Sequence, residues 1–126
     1  VACEFARHAS HVTGIDITEA MVERGCELAH GKGLSNVGWI TGNANPLPFP
    51  DEDYSLVITR YSFHHFLDPD AAFKEMIRVC KPGGRVLVAD VCVAEESSES
   101  YDRMEKLRDD SHAHALTGPE LSRLFE

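Results

Sequence analysis

Asp16 closes the run Val12-Thr13-Gly14-Ile15-Asp16-Ile17, so a carboxylate stands where a short β-branched, apolar stretch stops. In an open α/β sheet, ligands bind at the carboxyl ends of strands, and a carboxylate there can accept hydrogen bonds from both hydroxyls of a ribose. A solvent-exposed aspartate just before a helix N-cap fits the same position equally well. A second set of candidates, Arg60 and Tyr61 followed by Ser62-Phe63-His64-His65-Phe66, ends another apolar run, and His112 and His114 lie one residue apart further on. Imidazole titrates near neutral pH, so these histidines could act as acid, base or metal ligand. Neighbouring histidines do not easily point the same way, however, and no carboxylate stands at ligand spacing beside them in the sequence. Packing, or lining the wall of a ligand site, is the preferred reading for His64 and His65. The four cysteines, Cys3, Cys26, Cys80 and Cys92, form no Cys-x-x-Cys pair and give no zinc signal.

Those residues need elements to hold them. Val1, Ala2, Phe5, Ala6 and Ala9 recur at helical spacing, which predicts a one-sided helix over residues 1–9. A strand over 11–17 then leads to Thr18, the N-cap of a helix over 19–30 that Gly31 and Gly33 terminate. Strands at 37–41, 55–61 and 85–93 carry near-continuous apolar character, as buried parallel strands do. Between the last two lies a helix capped by Asp68, with Pro69 in its first turn and Ala72, Phe73, Met76, Ile77 and Val79 on one side. Lys81-Pro82-Gly83-Gly84 turns that helix into the next strand. Residues 94–100 read as an acidic surface loop and 101–109 as a charged helix. A last helix opens at Thr117 with a Thr117–Glu120 capping box and Pro119 in its first turn. Strand alternating with helix is the signature of right-handed β-α-β units in an open α/β sheet.

Between the second and third strands Pro46, Pro48 and Pro50 each fix φ near about −65°, so the loop is stiff and extended. It follows the triplet Gly42-Asn43-Ala44, which becomes a further site candidate.

With 126 residues, 43% of them hydrophobic, the chain reads as a single domain over 1–126, without repeats or an internal linker. Twelve basic against 21 acidic side chains give a net charge of −9, which argues against a broad nucleic-acid face, although a local basic patch stays compatible with it. Reduced, buried thiols and a cytoplasmic setting are expected. No apolar run approaches the roughly 20 residues of a membrane span, and no secretion signal is visible.

Taken together, the run ending at Asp16, the segment from Gly42 to Asp53 and Lys81-Pro82-Gly83-Gly84-Arg85-Val86-Leu87-Val88 resemble the class I S-adenosylmethionine-dependent methyltransferases. The resemblance is specifically to the group that includes the ubiquinone- and menaquinone-biosynthesis enzymes, and it spans most of the chain. It implies a Rossmann-like fold with a mostly parallel sheet flanked by helices, S-adenosylmethionine as cofactor and a small-molecule methyl acceptor. In the family pattern Asp16 would hold the cofactor's ribose and Ile17 would lie against the adenine. Asn43 stands where the family usually has an aspartate near the adenine amino group, with the Ala44 amide near a ring nitrogen. A charge-assisted hydrogen bond is about twice as strong as a neutral one, so Asn43 implies weaker cofactor affinity. The backbone near Arg60 and Tyr61 would border the methionine half. Residues 105–112 resemble a charged segment that lies over the substrate side in relatives; a solvated charged helix fits them as well. Methyl transfer is an in-line displacement at a sulfonium-bound carbon, which needs orientation and exclusion of water more than a nucleophile, so the resemblance names no catalytic residue and no metal.

The family's glycine-rich loop, Asp-x-Gly-x-Gly-x-Gly, would precede Val1, and Val1 itself falls inside a helical pattern, as at a cut edge. The strand carrying that loop lies between strands 11–17 and 55–61 in the family's sheet, and a terminal hairpin would follow Glu126. Without that strand, either the two flanking strands pair directly or a second copy supplies the pairing, so a homo-oligomer is expected. The alternative reading is a non-catalytic methyltransferase-like remnant that serves as a binding or assembly module. A nicotinamide-dependent dehydrogenase fits the proline loop and Lys81-Pro82-Gly83-Gly84 poorly.

Overall fold

A computed structural model describes all 126 residues, Val1–Glu126, as two compact units, Val1–Pro48 and Phe49–Glu126. The first contains α1 (Ala2–Phe5), β1 (Val12–Asp16), α2 (Glu19–Gly31) and β2 (Val37–Thr41). β1 and β2 pair in parallel, with Val12 opposite Val37 and Asp16 opposite Thr41, and α2 forms the crossover. The strands thus match expectation, but the first helix is shorter than the predicted 1–9. Asn36 explains the early stop: its Nδ2 donates to the carbonyls of Ala6 at 2.7 Å and Ala9 at 2.9 Å, so those carbonyls are satisfied without further helix.

Trp39 organises this unit. Its ring fills the space that side chains at Gly14 and Gly25 would take: a Cβ on Gly14 would lie 2.4 Å from Trp39 Cε3, and one on Gly25 2.7 Å from Cη2. Two glycines, one in β1 and one in α2, therefore seat the one tryptophan of β2 between strand and helix. α2 ends as the sequence predicts. Gly33 takes φ +67° while Leu34 N donates to Ala29 O and Gly33 N to His30 O, the Schellman pattern that needs a left-handed residue.

The second unit contains β3 (Tyr54–Arg60), α3 (Pro69–Val79), β4 (Cys80–Ala89), α4 (Ser98–Arg108) and α5 (Gly118–Arg123), with 3₁₀ turns at Phe63–His65 and Glu95–Ser97. β3 and β4 are parallel, from Leu56 opposite Arg85 to Arg60 opposite Ala89. The ladder shifts between Tyr54, which faces Cys80, and Leu56, so the predicted Lys81-to-Gly84 turn is accommodated as an irregularity within the strand. β1 pairs with β2 and β3 with β4; direct pairing of β1 with β3, the less favoured of the two arrangements expected, is not adopted.

Asp68 caps α3, its Oδ1 accepting from Ala71 N at 2.9 Å. Ala72, Phe73, Met76 and Val79 are buried, but Ile77, expected beside them, is 52% exposed. One residue beyond Met76 turns the helix by about 100°, which carries Ile77 off the buried face. Phe63, Phe73, Met76, Leu116 and Leu124 form the core, with Val57, Val86 and Val88 of the sheet packed against them. The fourth strand stops at Ala89 instead of residue 93, where the Asp90 side chain takes the amides of Val91 and, beyond β3, of Ser62 and Phe63. α4 begins at Ser98, earlier than predicted, and the Thr117–Glu120 capping box of α5 is present in full. All four cysteines are free thiols; Cys3 is buried, whereas Cys26 and Cys92 are exposed, contrary to the expectation of buried thiols. No helix is long and apolar enough to cross a membrane.

Candidate functional site

In the first unit the parallel pairing of β1 with β2 sets Asp16 and the Gly42-Asn43-Ala44 triplet at one sheet end. Gly42 N donates to Asp16 O at 2.9 Å, which extends the ladder by one bond. Asp16 Oδ1 accepts from Thr18 N at 2.9 Å and so opens α2 in place of the Thr18 side chain, which makes no cap bond. Asp16 Oδ2 has no protein partner. Ile17 beside it is 72% exposed, an apolar side chain that the fold leaves in solvent. Asn43 Oδ1 accepts from Asn45 N at 3.1 Å, so part of its acceptor capacity is spent on its own loop.

In the second unit β3 ends on Arg60, whose guanidinium lies 4.5 Å above the Tyr61 ring. Tyr61 takes φ +55°, in the left-handed region that an aromatic side chain rarely adopts, and its amide donates to Ala89 O. Asp90 follows β4 directly. Its side chain is 2% exposed. Oδ2 accepts from Ser62 N at 2.8 Å and Phe63 N at 2.7 Å; Oδ1 accepts from Val91 N at 2.7 Å and from His64 Nδ1 at 2.6 Å. Buried charge is tolerated here because three backbone amides and an imidazole surround it.

A strap over residues 109–117 lies against this end. Ala113 N and His114 N both donate to His64 O, and Val93 N donates to Leu116 O. Asp102, on α4, holds the strap: it accepts from His112 Nε2 at 2.7 Å, His114 Nδ1 at 2.6 Å and Ala115 N at 2.9 Å. Burial works to raise the Asp102 carboxyl, but the Ala115, His112 and His114 hydrogen bonds outweigh it and bring the pKa down to about 2. His114 also donates from Nε2 to Glu120. Burial opposes its charge, yet the two carboxylates prevail and its pKa is raised. The Glu120 carboxyl is lowered, chiefly by the Thr117 amide, against burial and with help from His114.

Tyr61, His64, Val91, Tyr101, Glu105, Arg108 and His112 line a cavity of about 270 Å³ between the strand ends and α4. Glu105 is buried and pairs with Arg108. The Arg108 hydrogen bond holds its carboxyl below the ordinary range against burial, and the charges of His112 and His64 act in the same direction. No group of three or more His, Cys, Asp or Glu side chains is placed to hold a metal ion.

Of the predicted site residues, Asp16, Ile17, Asn43 and Ala44 belong to the first unit, with Asp16 and Gly42 in direct contact, while Arg60 and Tyr61 belong to the second. Sequence reasoning missed Asp90, Asp102 and Tyr101. The paired histidines do have carboxylate partners, 26 residues away for His64 and 10 to 12 for His112 and His114. A charged residue inside the apolar run predicted over 85–93 was the available signal for Asp90.

Residues 1–88 match the family described as "Methyltransferase domain". The chain is 35% identical over 126 residues to "Uncharacterized methyltransferase YcgJ" of Bacillus subtilis, covering 98% of this chain and 50% of that protein. The YcgJ crystal structure superposes with a TM-score of 0.90 over 96% of this chain and 53% of the other. "Ubiquinone/menaquinone biosynthesis C-methyltransferase UbiE" of Shewanella woodyi is 37% identical over 99 residues, 78% of this chain and 38% of UbiE. A SAM-dependent methyltransferase from Aquifex aeolicus matches with a TM-score of 0.61 and 29% identity, over 68% of this chain and 45% of that one. The chain thus spans about half the length of YcgJ and less of UbiE. A parallel β-α-β unit with a carboxylate at its strand end, the matched family and these likenesses together make the chain a member of the class I methyltransferase family.

Proposed function

We propose that this chain binds S-adenosylmethionine and takes part in transferring its methyl group to a small-molecule acceptor. The observation that carries this reading is the corner at Asp16. One carboxylate oxygen is free of protein partners, and the adjoining Ile17 is a large, exposed apolar side chain. A ribose with an adenine attached would use both: hydroxyls on the carboxylate, ring on the isoleucine. Ala44 and Asn43, next to Gly42 on the neighbouring strand end, would meet the base. When bound, the cofactor supplies a methyl group on positively charged sulfur; the protein's share is to orient the acceptor and to exclude water. The family and the names of its relatives support the same reading.

The whole chain is proposed to act as one methyltransferase domain, or part of one, in the cytoplasm. Each two-stranded sheet leaves one ladder edge of every strand unpaired, which supports association of copies through strand addition. Sedimentation of the purified chain should then show a species larger than the monomer.

Calorimetric titration with S-adenosylhomocysteine tests the cofactor reading. The chain is expected to bind, and Asp16→Ala to weaken binding by roughly tenfold or more, the loss of hydrogen bonds to a charged group. A cooperatively folded chain that binds no S-adenosylhomocysteine would contradict the proposal and favour a non-catalytic module.

A further inference from the structure

The two polar side chains at the Asp16 corner offer a ligand opposite things: Asp16 an acceptor, Asn43 a donor. The ladder of β1 and β2 closes on the bond from Gly42 N to Asp16 O at 2.9 Å, so Ile17 and Asn43 are the first residues beyond it on adjoining chains. Asp16 Oδ2 is left for a ligand, because Oδ1 is taken by Thr18 N. On the other chain the loop orients the Asn43 side chain. Asn45 N stands 3.1 Å from Oδ1, and a backbone N–H can only donate, so the oxygen of the Asn43 amide faces the loop and Nδ2 forms its other end. Nδ2 bonds to no protein atom, and neither does the backbone amide of Ala44. Asn43 is exposed and Ala44 half-buried, so a ligand can reach this edge.

That orientation decides which base edge fits. Adenine carries an exocyclic amino donor beside ring-nitrogen acceptors, whereas a purine with a carbonyl in place of the amino group presents an acceptor at the same point. Against Asn43 Nδ2 the adenine amino group meets donor with donor, and its hydrogens must turn to water. The carbonyl accepts. A ring nitrogen can take the Ala44 amide in either base, so that contact does not distinguish them. The acceptor role expected of Asn43 toward the adenine amino group is the one its oxygen has already given to Asn45 N.

We propose that Asn43 reads the base as a donor, and that this corner selects purine nucleoside thioethers whose base carries an oxo group over their amino counterparts. This rests on the reading of Asp16 and Ile17 given above and deepens it. Ribose hydroxyls on Asp16 and a ring on Ile17 are common to both ligands, so the base edge alone separates them. An adenosine thioether is held here by its ribose and ring face, with nothing from the Asn43 side chain to its amino group. The inosine-type thioether, in which hydrolytic deamination has replaced that amino group by a carbonyl, gains the Asn43 hydrogen bond and is the tighter ligand. It therefore competes with the cofactor for this corner.

Calorimetric titration of the chain with S-inosylhomocysteine and with S-adenosylhomocysteine reads the selection as a ratio of dissociation constants. The wild-type chain should bind the inosine compound roughly three- to tenfold more tightly, the worth of one neutral hydrogen bond. Asn43→Asp keeps an acceptor for Asn45 N, so the loop persists, but it sets a carboxylate against the base. The ratio should then reverse, with S-adenosylhomocysteine favoured by roughly tenfold. Asn43→Ala should bring the ratio close to unity, and Asp16→Ala should weaken both compounds alike, because they share the ribose. Three results would overturn the proposal: a wild-type preference for S-adenosylhomocysteine, equal wild-type affinity for the two compounds, or a ratio that Asn43→Asp leaves unchanged. A folded chain that binds neither compound would instead remove the cofactor reading itself, and this inference with it.

Discussion

Two carboxylates, Asp16 and Asp90, each stand at the carboxyl end of a parallel strand pair, and the fold treats them in opposite ways. Asp16 spends one oxygen on Thr18 N and leaves the other free beside an exposed isoleucine. Asp90 is almost wholly buried and spends both oxygens on three amides and a histidine. The first arrangement suits a ligand that arrives from solvent, because little must be displaced. The second suits a fixed charge that orients another side chain, because nothing can move it cheaply. The same strand-end position thus carries an open carboxylate oxygen in one unit and a structural anchor in the other.

The difference is open to test by substitution. Asp90→Ala leaves buried amides at Ser62, Phe63 and Val91 without acceptors, and should cost about 3–5 kcal/mol, read as a lower urea midpoint. A loss below about 1 kcal/mol would show that the buried carboxylate is not an anchor. In the first unit the firm feature is the Trp39 seat instead. Gly14→Ala places a methyl 2.4 Å from the indole ring and should cost about 1–3 kcal/mol, with the Trp39 fluorescence altered.

Acid and base should affect the second unit's strap next. His114 has a raised pKa, so its contribution is complete below the ordinary value of 6.5 and is lost as pH rises through the raised one. Asp102 and Glu120 have lowered pKa values; they contribute fully above the ordinary carboxylate range and lose it as pH falls, for Asp102 down through about 2. Amide exchange at Ala113 and His114 should therefore be slowest between about pH 5 and 6.5, with Asp102, Glu120 and, at Ser111, His65 facing the strap. An exchange-corrected profile that is flat from pH 5 to 9 would remove His114 from the account. The smallest expected effect is that of Asp16→Ala on stability: one exposed turn bond is lost, about 1 kcal/mol or less. A larger loss would mean that the two carboxylates do not differ in kind.

That contrast also explains what could be read in advance. Asp16 closes a strand and drew attention by position, while Ile17, Asn43 and Ala44 were named through the resemblance of short contiguous motifs to the family. The caps of α3 and α5 and the Schellman end of α2 are local chemistry as well, and the chain shows them where the sequence placed them. The His64 site is assembled from residues 61, 64, 90, 101, 105, 108 and 112, and no spacing within any one segment reveals that a carboxylate 26 positions away fixes a histidine. The first helix stopped early for a similar reason: Asn36, far along the chain, satisfies its last carbonyls. Local rules missed what distant side chains decide.

The most direct test of the central claim is a nitrogen-15 amide map of the folded chain titrated with S-adenosylhomocysteine. The account predicts saturable shifts at Asp16, Ile17, Gly42, Asn43 and Ala44, abolished by Asp16→Ala. A titration that leaves those five amides unmoved while the chain stays folded would contradict it.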